Sequence, residues 1–286
     1  MNDKTTTMKR IAIQGGFGAF HEIAATRYFE DEEIEIVPNN TFHDLFKSVK
    51  MREADFGIMA IENSLAGSIL PNYSILRESG MKIIGEIYLR VQQNLVALPG
   101  ETIETITEVF SHPMAILQCQ HFFGNYPHIR LIDSIDTALS AREIAEKKLP
   151  GTGAIASTLA AEKYGLNILF HGIETNKMNY TRFLIVKDTS GNITAGSGVN
   201  KSTISFSLAD EIGGLSKILS ILSFYNMNLT KIQSMPIPGE NWEYHFYVDM
   251  IFNDYRLYLQ SLNAIRPFTH EMIVLGEYEK GKSSVG

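Results

Sequence analysis

Asn179-Tyr180-Thr181-Arg182-Phe183 places an amide, a hydroxyl and a fixed cation at the mouth of the apolar run Leu184-Ile185-Val186. An unpaired buried polar group costs roughly 1–3 kcal/mol, so such residues are normally kept off a core. Their presence at the entrance to a buried strand points to a site. Arg182 suits an anion, because a guanidinium offers a planar fork of donors to a carboxylate or phosphate.

Other polar clusters stand at the ends of apolar runs. Glu62-Asn63-Ser64 closes the run Phe56–Ile61, where a doubly wound sheet holds its ligands; the competing reading is Asn63 or Ser64 as a helix cap. Ser111-His112-Pro113 precedes a helical stretch carrying Gln118 and Cys119. Ser111 reads as a cap with proline early in the helix, and His112 as a candidate general acid or base without a local partner. Cys119, on an apolar helix, reads as core rather than nucleophile. Gly15, Gly16 and Gly18 between a first strand and a helix could bring backbone N–H groups to an anion, or form a plain tight turn.

Four look-alike motifs fail on context. Gly276 to Ser283 matches the P-loop string, but no helix follows within the sequence. The Gly16–Gly18 turn lacks the third glycine of a dinucleotide loop, with His21 in its place. His21-Glu22 begins a zincin-like string that ends at Thr26, and none of the eight histidines shows metal spacing. Asn179-Tyr180-Thr181 is formally a glycosylation sequon, which has no bearing without a secretory signal.

Apolar runs alternate with helical patterns over residues 9–188, which predicts an α/β architecture with largely parallel sheet, best divided into two lobes with ligand between them. Residues 189–200 are small and polar and read as a linker. Residues 201–280 follow the order βαββαβ, the ferredoxin-like split unit.

The chain has 286 residues, 44% hydrophobic and 20% charged, enough for two domains with their own cores. A net charge of -7 gives no general footprint for nucleic acid or an anionic membrane. One cysteine excludes a disulfide framework and fits a reducing compartment. The polar start lacks a signal peptide's apolar core, and no run is long enough for a membrane helix, so the expected location is the cytoplasm.

The ordered set Ile61-Glu-Asn-Ser-Leu-Ala-Gly67, Ser111-His-Pro-Met-Ala-Ile-Leu-Gln-Cys119, Ala154-Ile-Ala-Ser157 and Asn179-Tyr-Thr-Arg-Phe183 closely resembles prephenate dehydratases. Gly213-Gly214-Leu215, Asn228-Leu229-Thr230-Lys231-Ile232 and the stretch from Trp242 to Asp249 resemble their regulatory ACT domain. The resemblance implies a periplasmic-binding-protein-like, two-lobed catalytic domain over 9–188 and a ferredoxin-like ACT domain over 201–280. With no room for a fused chorismate mutase, the monofunctional form is expected.

The activity implied is that of a carbon–oxygen lyase: prephenate loses water and carbon dioxide to give phenylpyruvate, without metal or cofactor. Arogenate dehydratase is the nearest alternative, and a non-catalytic two-lobed amino-acid sensor is a more distant one. By resemblance, Thr181 is the catalytic hydroxyl, donating a hydrogen bond to the departing oxygen, and Arg182 pairs with a substrate carboxylate. Asn63, Ser64, Ser111, Gln118, Asn179 and the Gly18 backbone contact substrate, with His112, Glu62 and Phe183 behind them. L-Phenylalanine is the implied allosteric effector, at Gly213, Gly214, Leu215, Asn228, Leu229, Gln233, Ser234, Met235 and Pro236, with self-association into a dimer or tetramer.

Two departures stand out. Gly18 leads into Ala19-Phe20-His21 where the family carries two hydroxyls, leaving contacts to backbone or His21. Gln233-Ser234-Met235-Pro236 stands where the family has Glu-Ser-Arg-Pro, which bears on the strength of inhibition.

Overall fold

A computed structural model describes residues 8–189, 198–208, 211–237, 243–281 and 283–284. Most of the expected linker and Trp242 lie outside them. The elements are β1 (Lys9–Gln14), α1 (Phe20–Tyr28), β2 (Ile34–Asn39), α2 (Phe42–Lys50), β3 (Phe56–Asn63), β4 (Gly67–Ser68), α3 (Leu70–Ser79), β5 (Lys82–Arg90), β6 (Asn94–Ala97), β7 (Glu108–Ser111), α4 (Pro113–Phe123), β8 (Arg130–Asp133), α5 (Thr137–Lys147), β9 (Thr152–Ala156), α6 (Thr158–Tyr164), β10 (Asn167–Phe170) and β11 (Tyr180–Lys187). Then come β12 (Lys201–Ser207), α7 (Gly214–Phe224), β13 (Asn228–Pro236), β14 (Tyr244–Ile251), α8 (Tyr255–Ile265), β15 (His270–Tyr278) and β16 (Ser283–Ser284).

The described residues form two compact units: those within 8–67, 88–183 and 283–284, and those within 68–87 and 184–281. The first contains two α/β lobes. In one, β1 pairs in parallel with β2 and β3, and Ile11, Ile13, Leu45 and Ile58 are buried. The other is built on the order β10-β6-β9-β7-β8. This sheet is mixed rather than largely parallel: β6 runs antiparallel to β9 and β10, whereas β7 is parallel to β8 and β9. Its helices cover both faces. Ala115, Ile116, Cys119 and Phe123 of α4 pack with Leu95 and Val109, while α5 and α6 supply Ala138, Ile144 and Ala160 to a second cluster.

The second unit contains the expected βαββαβ element, all antiparallel in the order β13-β14-β12-β15. Helices α7 and α8 cover one face through Ile218, Leu222, Tyr258 and Leu262, against Ile204, Phe206 and Val248. Residues 68–87 also belong to this unit, a partnership no local sequence pattern announced. Tyr73 of α3 packs on Tyr247 with ring centroids 4.9 Å apart, and Gly276 registers with Ile83. Side chains at Gly276 and Gly281 would collide with the backbone carbonyls of Ile83 and Glu86. The glycines of the P-loop look-alike are thus explained by close strand packing.

Candidate active site

Strand β11 carries Thr181, 8% exposed, beside the end of β3. The two strands are clamped by Ser64: its N–H donates to Tyr180 O at 2.8 Å, its hydroxyl donates to Met178 O at 2.8 Å, and that hydroxyl accepts from Tyr180 N at 2.9 Å. Ser64 therefore serves the strand junction, and its proton is already committed.

Asn63 ends β3 with its side-chain carbonyl accepting from the backbone N–H groups of Leu65 and Ala66, both at 3.0 Å. Backbone N–H groups only donate, so this contact fixes which end of the Asn63 amide is oxygen. Its Nδ2 then donates to Asn179 Oδ1 at 2.8 Å and to Thr181 Oγ1 at 3.0 Å, with Tyr180 O at 3.2 Å. Asn179, wholly buried, passes the same polarity on: its Nδ2 donates to Gln118 Oε1 at 2.9 Å. Thr181 Oγ1 accepts from Asn63, so its own proton is directed elsewhere. Among the described residues that proton is given to no acceptor. A hydroxyl held in this way is a preorganised donor for a developing negative oxygen.

Successive strand residues face opposite sides of a sheet. Asn63 and Thr181 meet on one side, and Glu62 and Arg182 on the other, where the guanidinium lies 3.8 Å from Glu62 Oε2. Arg182 is 4% exposed. The alternation of the strand therefore sets Arg182 on the face opposite Thr181, next to Glu62. Phe183, on the Thr181 side, is buried edge-on to His21 with centroids 5.0 Å apart. Burial holds the His21 imidazole neutral, with its pKa down to about 4.

Three further candidates are engaged within the protein itself. Ser111 is fully buried, and its hydroxyl donates to Ile155 O at 2.8 Å, which takes it out of the Asn63–Thr181 network. The cap of α4 is His112 instead, whose Nδ1 accepts from Met114 N at 3.2 Å with Pro113 opening the helix. His112 thus stands at the helix terminus with its Nδ1 engaged by the backbone. Gly18 N donates to Glu22 Oε2 at 2.6 Å, and Gly18 O accepts from Ser157 Oγ at 2.6 Å. Burial raises the pKa of Asp136, while N–H groups of Leu139, Ala138 and Gly16 oppose that rise. The glycine turn therefore directs its N–H groups to the protein's own carboxylates, Gly18 to Glu22 and Gly16 to Asp136. Gly18 is required there, with φ of 87° and no room for a side chain against Ala160.

Cys119 is buried within α4, and burial pushes its thiol up to about 12, as suits a core residue. No cluster of metal-ligating side chains occurs among the described residues. Among them, no helix is long and apolar enough to cross a membrane.

The model of the prephenate dehydratase family matches residues 11–190. The chain belongs to the prephenate dehydratase family. It is 34% identical to arogenate dehydratase 3 of Arabidopsis thaliana over 96% of this chain and 68% of that protein. It is 32% identical to the bifunctional chorismate mutase/prephenate dehydratase of Aquifex aeolicus, over 95% of this chain and 74% of that one. Among solved structures, the prephenate dehydratase of Arthrobacter aurescens in complex with L-Phe aligns with a TM-score of 0.83 and 27% identity, covering 94% of this chain and 89% of that one. A protein described as a novel type of quorum quenching acylase aligns at 0.84 with 28% identity, covering 95% and 98%. Membership of this family makes the chain a dehydratase-type lyase.

In the second unit, Gly213 adopts φ of 79° at the start of α7, and Leu215 and Leu229 pack on one core. Asn228 opens β13, the outer strand of the βαββαβ order, and Pro236 closes it opposite Tyr244. Gln233 Nε2 donates to Ser234 O at 2.8 Å, and Met235 Sδ accepts from Ser74 Oγ at 3.3 Å. The methionine at the family's basic position is thus drawn onto α3.

Gln93 was absent from every sequence signal. It is 3% exposed and lies 3.4 Å from Gln118 Oε1 through its Nε2. A lone glutamine after a strand carries no motif, and only the fold reveals it beside Gln118.

Proposed function

We infer that this chain converts prephenate to phenylpyruvate. The C1–carboxylate bond breaks to release carbon dioxide, its electron pair enters the ring, and the C4–oxygen bond breaks as the ring becomes aromatic. The departing oxygen leaves as water, with one proton consumed overall. The observation that carries this reading is the Asn63-to-Thr181 hydrogen bond. It leaves the Thr181 proton as the donor for an oxygen gaining negative charge, the kind of contact that strengthens toward the transition state. A threonine is too weak an acid to surrender that proton near neutral pH, so Thr181 steers the leaving oxygen while aromatisation supplies the drive. Gln118, whose Oε1 is occupied by Asn179, turns its Nε2 toward ligand.

Residues 9–188 form the catalytic domain and 201–280 an ACT domain that takes L-phenylalanine as effector and pairs with a second copy. The βαββαβ topology and the L-Phe bound by the Arthrobacter aurescens relative support that assignment. A cytoplasmic enzyme of amino-acid biosynthesis fits this pair of domains. The test is turnover of prephenate and of arogenate side by side, each with and without phenylalanine. Phenylpyruvate formation from prephenate, lowered by phenylalanine, is expected; a clear preference for arogenate would overturn the substrate.

A further inference from the structure

We propose that Gln93 is a positioning residue for the dehydration, fixing the orientation of the Gln118 amide and thereby the donor array beside Thr181. The proposal rests on the dehydratase reading and adds to it a residue that touches no substrate.

Gln93 is held from both sides through its main chain. Its N–H donates to Glu174 Oε2 at 2.9 Å, and its carbonyl accepts from Ile173 N at 2.7 Å. Gln118 is anchored in the same region, its backbone carbonyl accepting from Thr175 N at 2.9 Å. Gln93 and Glu174 are both almost wholly buried, so the side chain has little freedom to turn away.

The polarity of the side chains follows by propagation. The N–H groups of Leu65 and Ala66 orient Asn63, Asn63 orients Asn179, and Asn179 requires an oxygen from Gln118. Gln93 meets that same oxygen, so it must present nitrogen; turned over, it would set oxygen against oxygen. Its Nε2 stands 3.4 Å from Gln118 Oε1, while its own Oε1 is buried without a hydrogen-bond partner. A buried carbonyl left unmatched is unfavourable, and natural cores rarely keep one without cause. Here the cause is the second donor on Gln118: two N–H groups on one oxygen leave the Gln118 Nε2 directed away from both. Thr181 and Gln118 thus form a pair of outward donors whose direction is set inside the protein.

The test compares wild type, Gln93→Glu and Gln93→Met with prephenate. The carboxylate of Gln93→Glu cannot donate to Gln118 Oε1, but its protonated form can. Buried carboxyl groups titrate as high as about pH 8–9. The ratio of Gln93→Glu to wild-type kcat is therefore expected to rise as pH falls through that region, from roughly tenfold below unity, as one lost hydrogen bond warrants. Gln93→Met should be impaired about as much at every pH, with kcat affected more than KM. Equal activity of all three proteins, or equal pH-independent impairment of both variants, overturns the proposal.

A second readout needs neither variant to fold nor any turnover. In the wild-type protein with labelled glutamine side chains, the Gln93 Nε2 protons should exchange slowly and those of Gln118 fast. Slow exchange at Gln93 with no prephenate turnover would leave the hydrogen bond standing while removing the dehydratase reading. Fast exchange at Gln93 overturns the proposal.

Discussion

Asn63 Nδ2 lies 3.0 Å from Thr181 Oγ1, and this separation determines the direction of the Thr181 hydroxyl. The amide is not free to turn over, because its oxygen is held by two backbone N–H groups. The threonine accepts on one side and donates on the other.

Replacing Thr181 by valine keeps the shape of the side chain and removes the donor. Loss of one such donor costs about 10²–10³ in kcat. We expect a fall of that order with KM little changed, while Thr181→Ser keeps most of the activity. Steady-state kinetics with prephenate checks this, and wild-type turnover by Thr181→Val would remove the residue's assigned role.

Asn63→Asp retains an oxygen for Leu65 and Ala66 but replaces the Nδ2 donor with a second acceptor. The Thr181 proton is then drawn inward to the carboxylate. A fall of at least about tenfold in kcat is expected, consistent with a charge-assisted hydrogen bond of roughly 1.5–3 kcal/mol. Activity should recover partly on acidification, and a pH–rate profile beside wild type reads it directly.

His21 gives a stability effect of defined sign. Its folded pKa, lowered by burial to about 4, lies below the ordinary 6.5, so the unfolded chain binds the extra proton between those values. Stability contributed by the neutral imidazole is present above pH 6.5 and is lost as pH falls toward 4. At about 1.4 kcal/mol for each pH unit the total is at most about 3.5 kcal/mol. Thermal unfolding of His21→Gln across that window should show a shallower acid decline than wild type, and parallel curves would sink the assignment.

Lys201 and Glu86 form a buried ion pair in the second unit, with Lys201 Nζ 2.8 and 2.9 Å from the two carboxylate oxygens. Gly281 N adds a hydrogen bond of 3.0 Å to Glu86. Removing one partner strands a buried charge and costs about 3–5 kcal/mol. Lys201→Met alone should destabilise by that order in denaturant titration, whereas Lys201→Met with Glu86→Leu should recover most of the loss. No recovery in the double variant would count against charge burial as the cause.

The βαββαβ order was legible because each element has its own period and turn, and those signals are local. The mixed character of the β10-β6-β9-β7-β8 sheet was not, since β6 and β10 are short apolar runs whose direction nothing local records. Asn63, Asn179 and Thr181 stand out in the sequence as polar groups at the ends of apolar runs and Gln118 enters through the family resemblance, and the structure brings these four side chains together. Ser64, Ser111 and Gly18 were named with them, yet their polar atoms are taken up by the chain's own backbone and carboxylates. Sequence shows which polar groups a segment has but not which are already spent. Adjacency along a strand likewise separates two side chains in space, so Thr181 meets Asn63 while Arg182 approaches Glu62.

The peptide groups of Leu65 and Ala66 have a consequence for variation in this family. Their side chains are exposed, so almost any residue is tolerated there on packing grounds. Proline is not, because it has no N–H to offer Asn63. These positions should therefore be free in every respect except one, and an imino acid at either would unseat a hydroxyl far along the chain without touching it. The turn belongs to the catalyst through its main chain alone.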